Sequence, residues 1–117
     1  MSRTLSVAAF SAALLVPAAA LAHHGWSSYD IDKVIRHTAR LSDVVWGNPH
    51  GSAKVGYQGR TWGVVPAPVA RMQSRGLTRE MLISGRPVTL EGYPRVDGSS
   101  EMRVERITVD GKTVELR

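Results

Sequence analysis

The feature that most limits what this chain can fold into is the brevity of its apolar runs. From Val34 onward, apolar side chains recur at every second position in short stretches. Each stretch stops at a glycine, a proline or an Asp-Gly pair. Alternation with a period of two puts one face of a segment into a core and the other into water, which is the pattern of a half-buried strand. In VIRHTARLSDVVW (34–46), Ile35, Ala39, Leu41 and Val45 share one face, so a long first strand is expected. His37 and Asp43 fall on that same face and interrupt it, which predicts a bulge or a barrel end there. GNPHG (47–51) is a turn by composition. SAKVGYQ and RTWGVV read as a hairpin about Gln58-Gly59.

The chain then changes character. PAPVARMQSRG has Pro68 where a helix starts and Gly76 where one ends. LTREMLISG offers Thr78 as an N-cap, one short helical turn and Gly85 as a stop. Strand patterning returns in RPVTLEGYP through Val88 and Leu90, then in EMRVERITV and KTVEL. The last two are joined by Asp110-Gly111, the favoured pair for a two-residue hairpin turn. Three strands, a helical segment and three more strands are what a small Greek-key barrel requires, and closure removes the exposed edges of so small a sheet. The expected fold is mainly β, a small OB-like barrel, closed or partly open, with one or two short helices. A sandwich or an open α+β sheet uses the same elements.

The first 22 residues do not belong to this pattern. Arg3 is their only charge, Leu5 to Val16 is apolar, Pro17 breaks the run, and Ala20-Leu21-Ala22 fits the A-x-A rule of signal peptidase. The apolar run is well short of the ~20 residues that cross a bilayer as a helix. Residues 1–22 are therefore expected to be an export signal, cut between Ala22 and His23, giving a periplasmic or secreted bacterial protein with no transmembrane segment after cleavage. A cut after Ala20 and an uncleaved anchor are the alternatives. Residues 23–33, HHGWSSYDIDK, show no period and read as an extended arm ahead of a single barrel domain at 34–117.

Composition narrows the chemistry. The chain has no cysteine, so disulfides, thiolate metal sites and cysteine nucleophiles are excluded. From His23 on, fourteen Lys and Arg face ten Asp and Glu, a net charge of +4. That surplus permits an anionic partner without requiring one.

The stretches HHGWSSYD, WGNPH, RTW, ARMQSRGLTREML and VTLEGYPRVDGSSEMRVERITVDGKTVELR together carry a resemblance. The chain resembles a family of small exported bacterial proteins of unknown function. The resemblance implies an exported, single-domain, β-rich protein and transfers no catalytic residue. The chain departs from that pattern at Val65 and Pro66, where a leucine-alanine type of stretch is expected.

Cleavage after Ala22 would make His23 the first residue. A terminal histidine can hold one metal through both its α-amine and its imidazole Nδ1, and a second imidazole would complete three nitrogens. Such ligands suit Cu(II), with Ni(II) and Zn(II) behind it. The amine, with a reference pKa of about 8, must lose its proton, so affinity should rise with pH near neutrality. His50, in the NPH turn, is the preferred second ligand, with His24 able to add a nitrogen and His37 in reserve. The amino-terminal copper and nickel motif needs histidine at the third position, where Gly25 stands. The arrangement is closer to a histidine brace, by analogy of the terminus alone. The plainer reading of the arm is packing, and of His50 a turn histidine bonded to backbone.

Two further groups invite a function. Arg71, Arg75 and Arg79 are spaced by four, so they would share a face of one continuous helix and offer an anion-binding surface, though Gly76 should end the helix before Arg79. Trp26, Trp46 and Trp62 could stack a flat ligand, fill the core or, for Trp26, pin the arm. Nucleic acid is not expected as the partner of an exported bacterial protein; an acidic protein or an anionic surface is. No phosphate loop, zinc-protease helix or nucleophile elbow occurs, so the expectation is a binding protein and not an enzyme. Copper binding is the leading reading, with an interaction module that uses the barrel and the arginine helix as the alternative.

Overall fold

The structure, a computed structural model, describes residues 25–117. It has seven strands, β1 (Ile35–Ala39), β2 (Ser42–Val45), β3 (Ser52–Tyr57), β4 (Arg60–Val65), β5 (Val88–Pro94), β6 (Glu101–Val109) and β7 (Lys112–Glu115). Two short helices, α1 (Val69–Ser74) and α2 (Arg79–Ile83), lie between β4 and β5, and a 3-10 turn covers Trp26–Ser28. The hydrogen-bonded order is β1-β5-β6-β4-β3-β2, with β7 also on β6. Only Arg40 and Leu41 separate β1 from β2. The two ends of this order are thus nearly one strand, and the sheet curls back on itself. β4 runs parallel to β6, while the other pairs are antiparallel. A bent first strand shared by two neighbours, one parallel pairing and a helical plug make a small OB-like barrel, as expected.

The single long first strand is corrected to two. Asp43 has a φ of 46°, and the register between β2 and β3 shifts between Ser42 and Val45. The bulge expected at Asp43 is present; none occurs at His37, which lies in unbroken register opposite Leu90. His37 instead closes a seam, its Nε2 donating to the Gly56 carbonyl on β3 at 2.8 Å. One inserted residue flips the side chains that follow. Val44 therefore packs on the core, and Val45, expected inside, is 58% exposed.

The other local expectations hold with small shifts. Gln58-Gly59 and Asp110-Gly111 take φ values of 49° and 74°, and 50° and 77°, as the type I′ hairpin turn demands. Pro68 is the N-cap of α1 and not its first residue, and Gly76, at φ 84°, follows the helix end. The Thr78 hydroxyl accepts from the Met81 amide at 3.3 Å, capping α2. Between these helix ends, Met72, Leu77 and Leu82 are buried and plug the barrel.

The core is lined from every strand of the barrel: Ile35, Val55, Val64, Leu90, Val104 and Ile107 are among its buried members. β6 needs a bulge to supply its share. Glu91 pairs with Arg106 and Gly92 with Val104, so Glu105 is the extra residue. The bulge lets Met102 and Val104 face inward before it and Ile107 and Val109 after it. It also presses backbone on backbone: a Cβ on Gly92 would run into the Arg103 carbonyl oxygen, with the carbonyl carbon only 2.9 Å away. On the outer face Arg36, Glu91, Arg106 and Glu115 stand in register across four strands and pair with alternating sign.

Candidate functional site

Tryptophan and tyrosine in an otherwise polar arm need partners, and they find them on the outer face of β5 and β6. The Ser28 carbonyl accepts from the Val96 amide at 3.0 Å, the Asp30 amide donates to Pro94 at 2.8 Å, and Tyr29 forms a bridge with Arg95. The arm thus adds a short strand-like edge at the end of β5. The 3-10 turn throws Trp26 onto a bed of cations. The guanidiniums of Arg103 and Arg117 each lie 4.7 Å from its ring centroid, and Tyr93 meets it edge-on at 6.1 Å. Stacking of this kind is worth about 0.5–2 kcal/mol per cation, more where water is excluded.

A second cluster holds Tyr29. Its hydroxyl donates to Glu101 at 2.8 Å, and Arg95 binds the same carboxylate at 3.1 Å while lying 5.7 Å from the Tyr29 ring. Burial, reinforced by the bond to Glu101, pushes the phenol up to about 12. Burial pushes the Arg103 guanidinium down. Glu105 accepts from the Tyr93 hydroxyl, and that bond holds its carboxyl below the ordinary range, with Arg106 and Arg117 acting in the same direction.

His50 lies on the loop between β2 and β3. Arg103 pairs in register with Val65 of β4. Val65 and His50 line one groove of about 390 Å³, with Lys54, Gly63 and Glu101 among its other walls. Gly51 ties the loop down by donating to the Ala67 carbonyl at 2.9 Å. The His50 Nδ1 lies 2.7 Å from the Gly51 carbonyl. A carbonyl can only accept, so Nδ1 carries the proton, and in the neutral ring the lone pair is on Nε2. A backbone bond of this type is how metal-binding histidines are commonly oriented.

The remaining expected residues are placed as follows. His23 and His24 lie outside the described residues, and among the described residues no group of three His, Asp or Glu could hold a metal. His37 sits at another end of the barrel, against Tyr57 at 4.9 Å. Trp62 is a core residue and Trp46 packs on the core beside Arg79. Trp26 pins the arm. Arg71 and Arg75 reach across to β7, donating to the Leu116 and Glu115 carbonyls at 3.2 and 3.1 Å. Arg79 belongs to α2, not to α1. The sequence reading missed Arg103, Arg117, Tyr93 and Glu101 as the seat of the arm. The signal available was Trp26 and Tyr29, three apart, on a segment whose one aliphatic side chain, Ile31, is too little to bury them locally.

Residues 12–103 match the model of a family described as a family of unknown function, DUF6152. The chain belongs to this family. The match takes in the arm, both helices, the strands as far as Arg103 of β6 and the loop of His50; of the residues that seat Trp26 it includes Tyr93 and Arg103 but not Arg117. No curated protein matches the chain. No helix among the described residues is long and apolar enough to cross a membrane.

Proposed function

We propose that this protein is exported, cut between Ala22 and His23, and binds Cu(II) through the α-amine and Nδ1 of His23 with His50 as the third nitrogen ligand and His24 beside them. The observation that carries this reading is the continuity between the arm's anchor and the groove of His50. Trp26 stacks on Arg103, Arg103 neighbours Val65, and Val65 shares a groove with His50. The three residues from Trp26 back to His23 span up to ~10 Å when extended. That is about two strand spacings. Three nitrogen ligands with no thiolate favour Cu(II) over Zn(II). The role is that of a carrier or store, not a catalyst.

The test is intact mass of the periplasmic protein, native and denatured, with added Cu(II). The expected result is a denatured mass starting at His23 and one copper retained natively. His23→Ala should abolish tight binding, and binding by the processed protein should strengthen from pH 6 to pH 8. A different start, or a correct start that ignores copper, overturns the reading in favour of an interaction module. That alternative would show as binding of an acidic partner that weakens steeply with salt.

A further inference from the structure

We propose that the pocket between the end of β2 and the α1–α2 junction binds a neutral sugar ring, a pyranose. The inference stands apart from the copper reading, because it uses none of the residues of that site.

Two stretches far apart in sequence build this pocket. Trp46 comes from just after β2, Gln73 from α1, Leu77 and Thr78 from the junction, and Arg79 and Glu80 from α2. Its volume is about 360 Å³, within the ~300–1,000 Å³ of small-molecule sites. The junction is held from within. Gly76, at φ 84°, lets the chain turn, the Leu77 amide donates to the Met72 carbonyl at 2.9 Å, and the Thr78 hydroxyl oxygen accepts from the Met81 amide at 3.3 Å. Leu77 is buried and Trp46 is half-buried against the core, while Gln73, Thr78, Arg79 and Glu80 are exposed. The apolar members are thus anchored in the barrel and the polar members stand at its surface.

Those polar side chains are not spent on the fold. Arg71 and Arg75, the other two arginines spaced by four, bond carbonyls at the end of the chain. Arg79 does not. Among the described residues, the side chains of Arg79, Glu80 and Gln73 have no hydrogen bond or ion pair. Their chemistry selects the ligand. Arg79 only donates, Glu80 only accepts, and the Gln73 amide does both. One positive and one negative charge leave the pocket neutral, so a charged ligand gains no net attraction. A hydroxyl both donates and accepts, and a ring bearing several can satisfy all three side chains together. The same ring has a face of C–H bonds, whose weak positive charge suits the negative face of an indole and whose apolar character suits Leu77. A small anion would leave Trp46 and Leu77 unused, and a purely aromatic ligand would leave the three polar groups unmet.

The experiment is saturation-transfer NMR and titration calorimetry on the purified protein without added Cu(II). The probes are the methyl pyranosides of β-D-glucose, β-D-galactose and α-D-mannose, with acetate and inorganic phosphate beside them. At least one pyranoside should bind with a Kd of roughly 0.1–10 mM, the range for an exposed site and a ligand of about a dozen heavy atoms. Saturation should be strongest on the ring C–H protons, and affinity should be the same at low and high salt. Arg79→Ala should weaken binding about tenfold and Gln73→Ala about threefold. Trp46→Phe should keep most of the affinity and Trp46→Ala should lose it. Should Trp46→Ala fail to fold, the two exposed variants decide. Arg60→Ala, outside the pocket, should change nothing. Silence from all three pyranosides overturns the inference, as does sugar binding that Arg79→Ala and Gln73→Ala leave intact. Binding of acetate or phosphate that salt abolishes, with the sugars silent, overturns it in favour of an anion site. Sugar binding by a protein that ignores copper leaves this inference standing and overturns only the copper reading.

Discussion

Single residues carry much of the design. Gly92 is one: any side chain there meets the Arg103 carbonyl across the β6 bulge, and backbone cannot give way cheaply. Gly92→Ala should destabilise by about 1–3 kcal/mol, the range for overpacking. For a domain of this size that is a fall in melting temperature of several degrees or more, measurable by calorimetry. Asp43 is another. Its positive φ strains a side chain that a glycine would not, and its ion pair with Lys54 is well exposed. Asp43→Gly should leave stability unchanged or slightly higher, and Asp43→Ile should lower it by about 1–2 kcal/mol. Tyr29 is readable in a spectrum. With its phenol raised to about 12, it should be the last tyrosine to ionise in an ultraviolet titration. The sign follows: a raised acid stabilises the fold fully below the unfolded value of about 10, and that contribution disappears as pH climbs through about 12. Tyr29→Phe should remove that late transition.

At the scale of elements, the legible and the illegible divide by range. The two hairpin turns and the Thr78 cap depend on neighbours in sequence, so their residues declare them. The alternation of β3 through β7 was legible for the same reason. The division of the first strand was not, because it depends on β5 and β3 competing for its two halves. Asp43 announced the bulge but not the change of phase that exposes Val45. Arg103 was the hardest to read. Alternation puts it outside, between Met102 and Val104, and only an arm 77 residues earlier covers it. His50 was legible as a candidate from its turn; the groove it shares with Val65 depends on strand pairing. The bulged β6 is paired along both sides, to β5 on one and to β4 and then β7 on the other. Its central amides should be the slowest in the molecule to exchange with deuterium, and the two amides that dock the arm, Asp30 in the arm and Val96 after β5, should exchange much faster than β6. Equal rates would mean that the arm is part of the barrel's cooperative unit.

For the whole molecule, acid is the informative perturbation. Glu105, held low chiefly by the Tyr93 hydroxyl, ties β5, β6 and Arg117 together. A lowered carboxyl stabilises the fold above its unfolded value of about 4.3, and the contribution is lost as pH falls through the lower folded value. The fold should therefore weaken below about pH 4, and Glu105→Gln should flatten that part of the stability profile. A profile unchanged by the substitution would assign the acid limb to other groups.

The hold of α1 on β7 has a consequence beyond this molecule's own stability. The Leu116 amide bonds inward to Glu105, so the backbone groups of Glu115 face away from β6, along a margin where another chain could attach. An unguarded margin of that sort is a template for strand addition from one molecule to the next. Arg75 occupies the Glu115 carbonyl, and Arg71 the Leu116 carbonyl just beyond it, each with a positive charge that a second copy would also carry. The helix that plugs the barrel thereby occupies carbonyls that strand addition by a second copy would need.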